Sequence, residues 1–374
     1  MADRETVFFV GPLPPPVHGF SEINGRMLRE LSARHNVSIF NLTPRLGIFG
    51  LLALMWGFLV STLYSKPAAV YLAFSGGKRQ WLDIYFFIVS RLRGVPIFLH
   101  HHSFSYLNNR MRSAGMAFKL AATAKHIVLC ECMKNALVRE YEIQPLNCRV
   151  LSNTAFLDDI EKPQAAKVRS GPIRVGFLSN ITAEKGIFEF LSILSECAKA
   201  EFDVEGLIAG PVEQGIRDEF LASLAATGNA RHVGPVYGAA KAEFFSSIDV
   251  LLFPTRYANE AEPVTILESL GRGVPVIAFS RGCIEGMISS QAGAVMQFSD
   301  DYIQRVIAEI RPFAMEPERL AQARHGARQA FEIGREASKG ILEALVAEIG
   351  GGVGGSAGTG EEGCGEAKDS PITE

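Results

Sequence analysis

Cysteine and tryptophan are scarce in this chain, with six and two copies in 374 residues. Cys130, Cys132, Cys148, Cys197, Cys283 and Cys364 show no zinc-finger spacing; the one close pair, Cys130 and Cys132, is a C-x-C on an apolar run. The expectation is buried free thiols in a reducing cytoplasm. An excess of charge of one sign is also missing: 37 Lys and Arg face 40 Asp and Glu, a net charge of −3. Without a basic stripe, nucleic acid is not expected as a partner. No G-x-G-x-x-G opens a helix, which argues against hydride transfer on a dinucleotide, and no H-E-x-x-H supplies a metal site. Thr6–Val10 is too short an apolar run for a secretory leader.

What is present is a repeated alternation. Val7–Val10, Val37–Phe40, Val70–Phe74, Ile97–His100 and Ile127–Cys130 read as short apolar strands, and Ile23–Arg34 reads as a helix. Crossover-length segments between such strands imply a parallel sheet covered on both faces. Linker chemistry interrupts the pattern between Phe156 and Ile173, and strands resume at Arg174–Leu178, Val204–Ala209, Val250–Phe253 and Val274–Ala278. The reading is α/β, with two doubly wound Rossmann-like domains facing a central cleft. The expected boundaries are 1–160, a linker at 161–172, a second domain over 173–349 whose last helix, Leu320–Ile349, can pack back on the first, and a Gly-rich disordered tail over 350–374.

The most informative stretch is FPTRYANEAEPVTILESLGRGVPVIA, Phe253–Ala278. A buried strand runs into a loop, Pro263 opens a helix, and Gly271 and Gly273 end it. Free N–H groups of Val264 and Thr265 at that helix start suit a phosphate. Glu260 and Glu268 frame it with seven residues between them, and Glu262 lies close by. Taken singly, Glu260 reads as a solvated loop acid and Glu268 as an i,i+4 partner of Arg272.

Taken together, E-x7-E in this strand–loop–helix context resembles glycosyltransferase family 4 of the GT-B superfamily (glycosyl transferases group 1). That family carries E-G-F-G after the first acid, where this chain has Glu260-Ala261-Glu262-Pro263. The Phe177–Asn180 segment with Lys185-Gly186 resembles the strand–loop that supplies an arginine and a lysine to the donor diphosphate; Lys185 fits, whereas Asn180 stands at the arginine position. The proline-rich loop from Gly11 through His18 to Gly19 resembles the glycine-containing loop after the first strand, and Ser152-Asn153 the segment closing the first domain.

The resemblance implies a retaining glycosyltransferase that needs no metal or other cofactor. Its donor would be a UDP- or GDP-sugar and its acceptor a saccharide or lipid-linked glycan, in polysaccharide or glycolipid biosynthesis. It assigns the diphosphate to Lys185, Asn180, Pro263, Val264 and Thr265, the ribose to Glu268, and the donor sugar to Glu260. Gly19, His18 and Ser21 fall on the acceptor side, and Arg256 is a further cation for the diphosphate. Base contacts are expected near Ala209-Gly210-Pro211 or Val236. Two alternatives stand beside this reading: a sugar-nucleotide epimerase of the same fold, and a non-catalytic sugar-nucleotide binder.

His100, His101 and His102 end a strand, so His100 and His102 share one face and His101 takes the other. By the resemblance, a first-domain histidine at such a strand end lines the cleft near the transferred sugar; His102, followed by Ser103, is first choice and His100 second. The other reading is a hydrogen-bonded core histidine.

Leu46–Ser65 holds no charge and is bracketed by Arg45 and Lys66. Its length suits a bilayer span, a helix lying on a cytoplasmic membrane surface, or a crossover helix of the first domain. The small residues Gly50, Ala53, Gly57 and Ser61 are expected to pack on the sheet, leaving Leu52, Met55, Trp56 and Leu59 facing away.

Overall fold

The alternation resolves into two six-stranded, all-parallel sheets in a computed structural model, which describes residues 4–15, 19–43, 47–74, 76–158, 160, 171–199 and 202–351. The first sheet comprises β1 (Thr6–Gly11), β2 (Asn36–Asn41), β3 (Ala69–Phe74), β4 (Ile97–His101), β5 (Lys125–Val128) and β6 (Cys148–Val150), in the order β2-β1-β3-β4-β5-β6. Its helices are α1 (Gly19–Arg34), α2 (Gly47–Ser65), α3 (Gln80–Leu92), α4 (Ser105–Asn108), α5 (Arg112–Leu120) and α6 (Glu131–Tyr141).

The second sheet comprises β7 (Ile173–Leu178), β8 (Val204–Ala209), β9 (Ala230–His232), β10 (Val250–Phe253), β11 (Val276–Phe279) and β12 (Gly293–Met296), in the order β12-β11-β10-β7-β8-β9. Its helices are α7 (Ile187–Cys197), α8 (Arg217–Thr227), α9 (Gly238–Ser247), α10 (Val264–Gly271), α11 (Ile284–Met287), α12 (Tyr302–Met315) and α13 (Pro317–Ile349). The expected linker at 161–172 and tail at 350–374 fall almost wholly outside the described residues.

Strand parity explains the layers. Phe8, Val10, Val70, Leu72 and Leu99 point to one face and pack with Phe58 of α2, Phe86 and Phe87 of α3 and Phe118 of α5. Val7, Phe9, Tyr71 and Phe98 point to the other face, against Ile23, Met27 and Leu31 of α1. Those three lie four residues apart, one stripe of a helix. The same face receives Leu342, Leu345, Val346 and Ile349, so the end of α13 leaves its own domain and packs on the first sheet. Two apolar layers likewise cover the second sheet: Leu251 and Phe253 face α10 and Phe331 of α13, while Val250 and Leu252 face α7 and α12.

In both sheets the chain order reverses beside the first strand, between β1 and β3 and between β7 and β10. Such a reversal opens a crevice beyond the carboxyl ends of the strands. The two crevices face each other.

The expected packing of α2 is corrected. Gly57 meets nothing within contact distance of an added Cβ, and Ala53 is exposed. The face on the sheet is built instead from Phe58 and Thr62, with Leu54 and Leu59 partly buried beside them. Phe58 makes edge contacts with Phe8, Phe40 and Phe86, so a large side chain fills the space that the small stripe was expected to occupy. Leu52 and Trp56 do face away.

Candidate active site

A cavity of about 550 Å³ lies between the sheets. It is walled by residues that follow β1, β3, β4, β5 and β6 on one side and β7, β8, β9 and β10 on the other. Of the residues expected here, Gly19, His102, Asn180, Lys185, Glu260, Pro263, Val264 and Thr265 line it. Gly210, Pro211 and Val236 also line it, on the side expected to hold the base.

Two helix starts meet across this space. Gly19 begins α1, and a Cβ placed on it would lie 3.9 Å from Cγ2 of Val264, the first residue of α10. Pro263 is not the first helical residue, as expected, but the extended cap before it, with φ −64° and ψ 115°. It supplies no side-chain cap, so the N–H groups of Val264 and Thr265 begin the helix without an intrahelical acceptor. The helix dipole adds positive potential at that point.

Lys185 is placed by its neighbour. Gly186 has φ +85°, and a Cβ there would overlap the carbonyl oxygen of Pro254, so only glycine lets the β7 loop pass this close to the β10 loop. That approach brings Lys185 Nζ to 2.5 Å from Glu260 Oε2 and 4.5 Å from the centroid of the Tyr257 ring. Thr255 Oγ1 donates to the same carboxylate oxygen at 3.3 Å. Arg256 does not reach the cavity wall: it pairs with Glu189 at 2.9 Å and lies over Phe298. Among the described residues the wall therefore carries two cations, Lys185 and Lys241, and no arginine.

Lys241, on α9, was not anticipated; no motif surrounds it. It lies 2.5 Å from Glu268 Oε2 and 2.7 Å from Oε1. Glu268 is buried and does not itself line the cavity, and the Arg272 guanidinium donates to its backbone carbonyl. Burial raises the Glu268 carboxyl above its usual range, with Lys241 pulling the other way. An acid expected to face the ligand directly thus stands off the cavity wall, paired with a lysine that lines it.

Glu262 is the other residue whose role the sequence hid. It accepts from Ser152 Oγ at 2.7 Å and from the Asn153 N–H at 2.6 Å, and its own carbonyl accepts from Asn153 Nδ2 at 3.2 Å. These bonds tie the second domain to the end of the first. Burial pushes its carboxyl up to about 7, against the opposing pull of the two hydrogen bonds. Asn153 also lines the cavity, and its Oδ1 is buried without a partner.

The histidines divide as strand parity requires. His100 and His102 share a face, with ring centroids 4.0 Å apart, while His101 turns to Tyr106 and His126. His102 reaches the cavity beside Phe20; its Nε2 is buried without a partner, and desolvation lowers its pKa to about 3. At neutral pH it is an uncharged imidazole. His100 is corrected from a binding residue to a core residue: it is fully buried behind His102, with Nδ1 2.6 Å from Tyr71 Oη. Ser21 is likewise buried in α1 and absent from the wall. His18 lies outside the described residues.

The expectation of buried free thiols fails at Cys132, which is free but exposed, and at one pair. Cys130, before α6, and Cys283, before α11, form a disulfide that joins the two domains. Cys132 Sγ lies 3.4 Å from Cys130 Sγ. Cysteines 153 residues apart carry no mutual signal in sequence; the facing crevices bring them together. Cys148 and Cys197 are buried free thiols, as expected.

Residues 172–311, from the start of the second sheet into α12, match the family described as Glycosyl transferases group 1. No curated protein matches the chain. Anabaena Alr3699/HepE, solved with UDP and glucose, superposes with a TM-score of 0.71 at 15% identity, over 92% of this chain and 100% of that one. A glycosyltransferase from Rickettsia africae ESF-5 gives 0.69 at 13% identity, over 93% and 99%. The pneumococcal O-GlcNAc transferase GtfA, solved with UDP and GlcNAc, gives 0.63 at 19% identity, over 80% of this chain and 60% of that one. The chain is similar to these proteins in architecture: its two facing parallel sheets form a GT-B fold.

Proposed function

We propose that this protein is a retaining glycosyltransferase of family 4 that moves a sugar from a UDP-sugar to a hydroxyl of a saccharide or glycan acceptor. The observation that carries the reading is the meeting of Lys185, Glu260 and the bare start of α10 on one wall of an inter-sheet cleft. Positive potential converges there from two independent sources, a lysine and a helix N-terminus, as a departing diphosphate requires. A UDP donor is preferred to a GDP donor because Alr3699/HepE and GtfA were both solved with UDP.

In this reading the β7 and β10 loops hold the diphosphate. Lys185 exchanges Glu260 for phosphate, and the released Glu260 orients hydroxyls of the donor sugar. Lys241 and Glu268 act together toward the ribose. From the opposite wall, neutral His102 offers Nε2 and Asn153 offers Oδ1 to sugar hydroxyls. The acceptor hydroxyl oxygen attacks the anomeric carbon as the bond from that carbon to the phosphate oxygen breaks. The hydroxyl proton passes to that departing oxygen, on the same face of the sugar. Closure of the two domains excludes water from the donor.

The test is a panel of UDP- and GDP-sugars assayed for thermal stabilisation and for nucleotide release with simple saccharide acceptors. Stabilisation by UDP compounds together with UDP release supports the reading. Stabilisation without any release across the panel would leave a binder, and donor conversion without acceptor an epimerase; either replaces it.

A further inference from the structure

The helix α2 is long and apolar enough to cross a membrane by length and composition, yet only 11% of its apolar window is buried. Phe49 and Tyr64 are more than four-fifths exposed, and Ile48, Leu52, Trp56 and Leu63 are each about half exposed or more. The neighbouring α3 continues the same surface with Trp81, Ile88 and Leu92, and α5 adds Met116. One face of the first domain is thus apolar along three adjacent helices. A contiguous apolar patch of this kind marks an interaction surface.

Charge specifies the partner. From Val37 to Cys130 the chain holds ten Lys and Arg and a single acid, Asp83, which is fully buried. Lys66, Arg91, Arg93, Arg112 and Lys119 are exposed around the helix ends. Arg93 reaches the Leu63 carbonyl and Arg91 the Leu120 carbonyl, which sets two cations between the ends of α2, α3 and α5. No exposed acid among the described residues of this stretch opposes them. Apolar side chains, amphipathic Trp and Tyr, and cations unopposed by acids are the combination that an anionic bilayer surface rewards.

We infer that the α2–α3–α5 face docks on an anionic lipid bilayer, with α2 lying in the interface rather than crossing it. Phe58 and Thr62 of α2 are buried in the first core, and β2 and β3, which α2 connects, both pair with β1. Crossing would pull that side of the helix out of the core and part strands that are hydrogen-bonded to one neighbour. The first turn of α2 follows the carboxyl end of β2, so the docked face reaches the rim of the cleft. If the proposed transfer reaction holds, an acceptor carried on a lipid would meet the cleft at the membrane surface.

Both tryptophans of the chain, Trp56 and Trp81, lie on this face, so tryptophan emission, excited selectively over the tyrosines, reports it alone. The experiment adds phosphatidylcholine vesicles, with or without phosphatidylglycerol, to the full chain and follows emission and flotation. A blue shift and flotation with the anionic vesicles, reversed by salt or carbonate, is expected. The triple variant Phe49→Ser, Leu52→Ser, Trp56→Ser alters only exposed positions and is expected to partition about tenfold or more weakly. Retention after carbonate washing would replace docking by a span. A soluble fraction and unshifted emission with anionic vesicles, or a shift that follows protein concentration without lipid, would overturn the inference. UDP binding by the triple variant, measured by calorimetry without lipid, keeps this outcome separate from failure of the transfer reading.

Discussion

Lys185 Nζ and Glu260 Oε2 lie 2.5 Å apart, although 75 residues separate them in the chain. The pair joins the β7 loop to the β10 loop across the point where the second sheet reverses its order. Each charge neutralises the other until an anion competes for the lysine. Lys185→Ala is therefore expected to weaken UDP binding and to lower turnover by roughly 10²-fold, the scale of losing one stabilising group at a departing charge. Glu260→Gln frees Lys185, so UDP binding should hold or tighten while transfer falls. Calorimetry with UDP and steady-state turnover test both; equal losses of UDP affinity in the two variants would refute the exchange.

Lys241 and Glu268 form a second pair, more buried on the acid side. Lys241→Met takes the Lys241 cation from the buried Glu268 carboxyl, at a cost on the order of 3 kcal/mol in stability. Adding Glu268→Gln should restore much of that stability but not UDP affinity. Denaturant midpoints and UDP titrations of the single and double variants provide the check.

Glu262 sets a pH dependence. Its carboxyl keeps its proton up to about pH 7 in the folded chain, against about 4.5 when unfolded. Below 4.5 both states are protonated and this group contributes no slope. Between 4.5 and 7 the unfolded chain releases the proton first, so stability falls as pH rises, by on the order of 3 kcal/mol over the window. Glu262→Gln should flatten that decline, and parallel wild-type and variant curves of unfolding free energy against pH would contradict it.

The disulfide between Cys130 and Cys283 closes a long loop and fastens one domain to the other. Reduction is expected to lower the unfolding midpoint, by an amount equivalent to about 2–4 kcal/mol. Cys283→Ser should start at the reduced value and respond no further to reductant. Thermal melts with and without reductant decide the matter; an unreduced wild type that melts with Cys283→Ser would remove the clasp.

Much of the scaffold was legible along the chain. Short apolar runs at crossover spacing identified the parallel strands, because a strand covered on both faces must be apolar throughout. The face-sharing of His100 and His102 followed from parity alone. The loop and helix around Glu260 and Pro263 were visible because a proline next to a strand end and a glycine after the helix are local signals. The identities of the contacts were not visible. Glu262 looked like one more loop acid until Ser152 and Asn153 arrived from the other domain. Lys241 carried no motif because its partner sits on a different helix. The resemblance ranked His102 before His100, but periodicity places both on one face, and the packing of Phe20 and Tyr71 decides which ring meets the cavity.

By itself, then, the sequence determined what local chemistry can encode: two α/β halves, the anion-ready start of α10, and a charge-free helix of bilayer length. The tertiary structure alone decided which charges meet. The Lys185–Glu260, Lys241–Glu268 and Glu262–Asn153 contacts and the Cys130–Cys283 bond all join segments far apart in the chain. It also decided that α2 turns Phe58 inward and Trp56 outward. The physical reason is common to all of them. Strand and helix periods are written in neighbouring residues, whereas pairing and burial depend on which distant surfaces the folded sheets bring into contact.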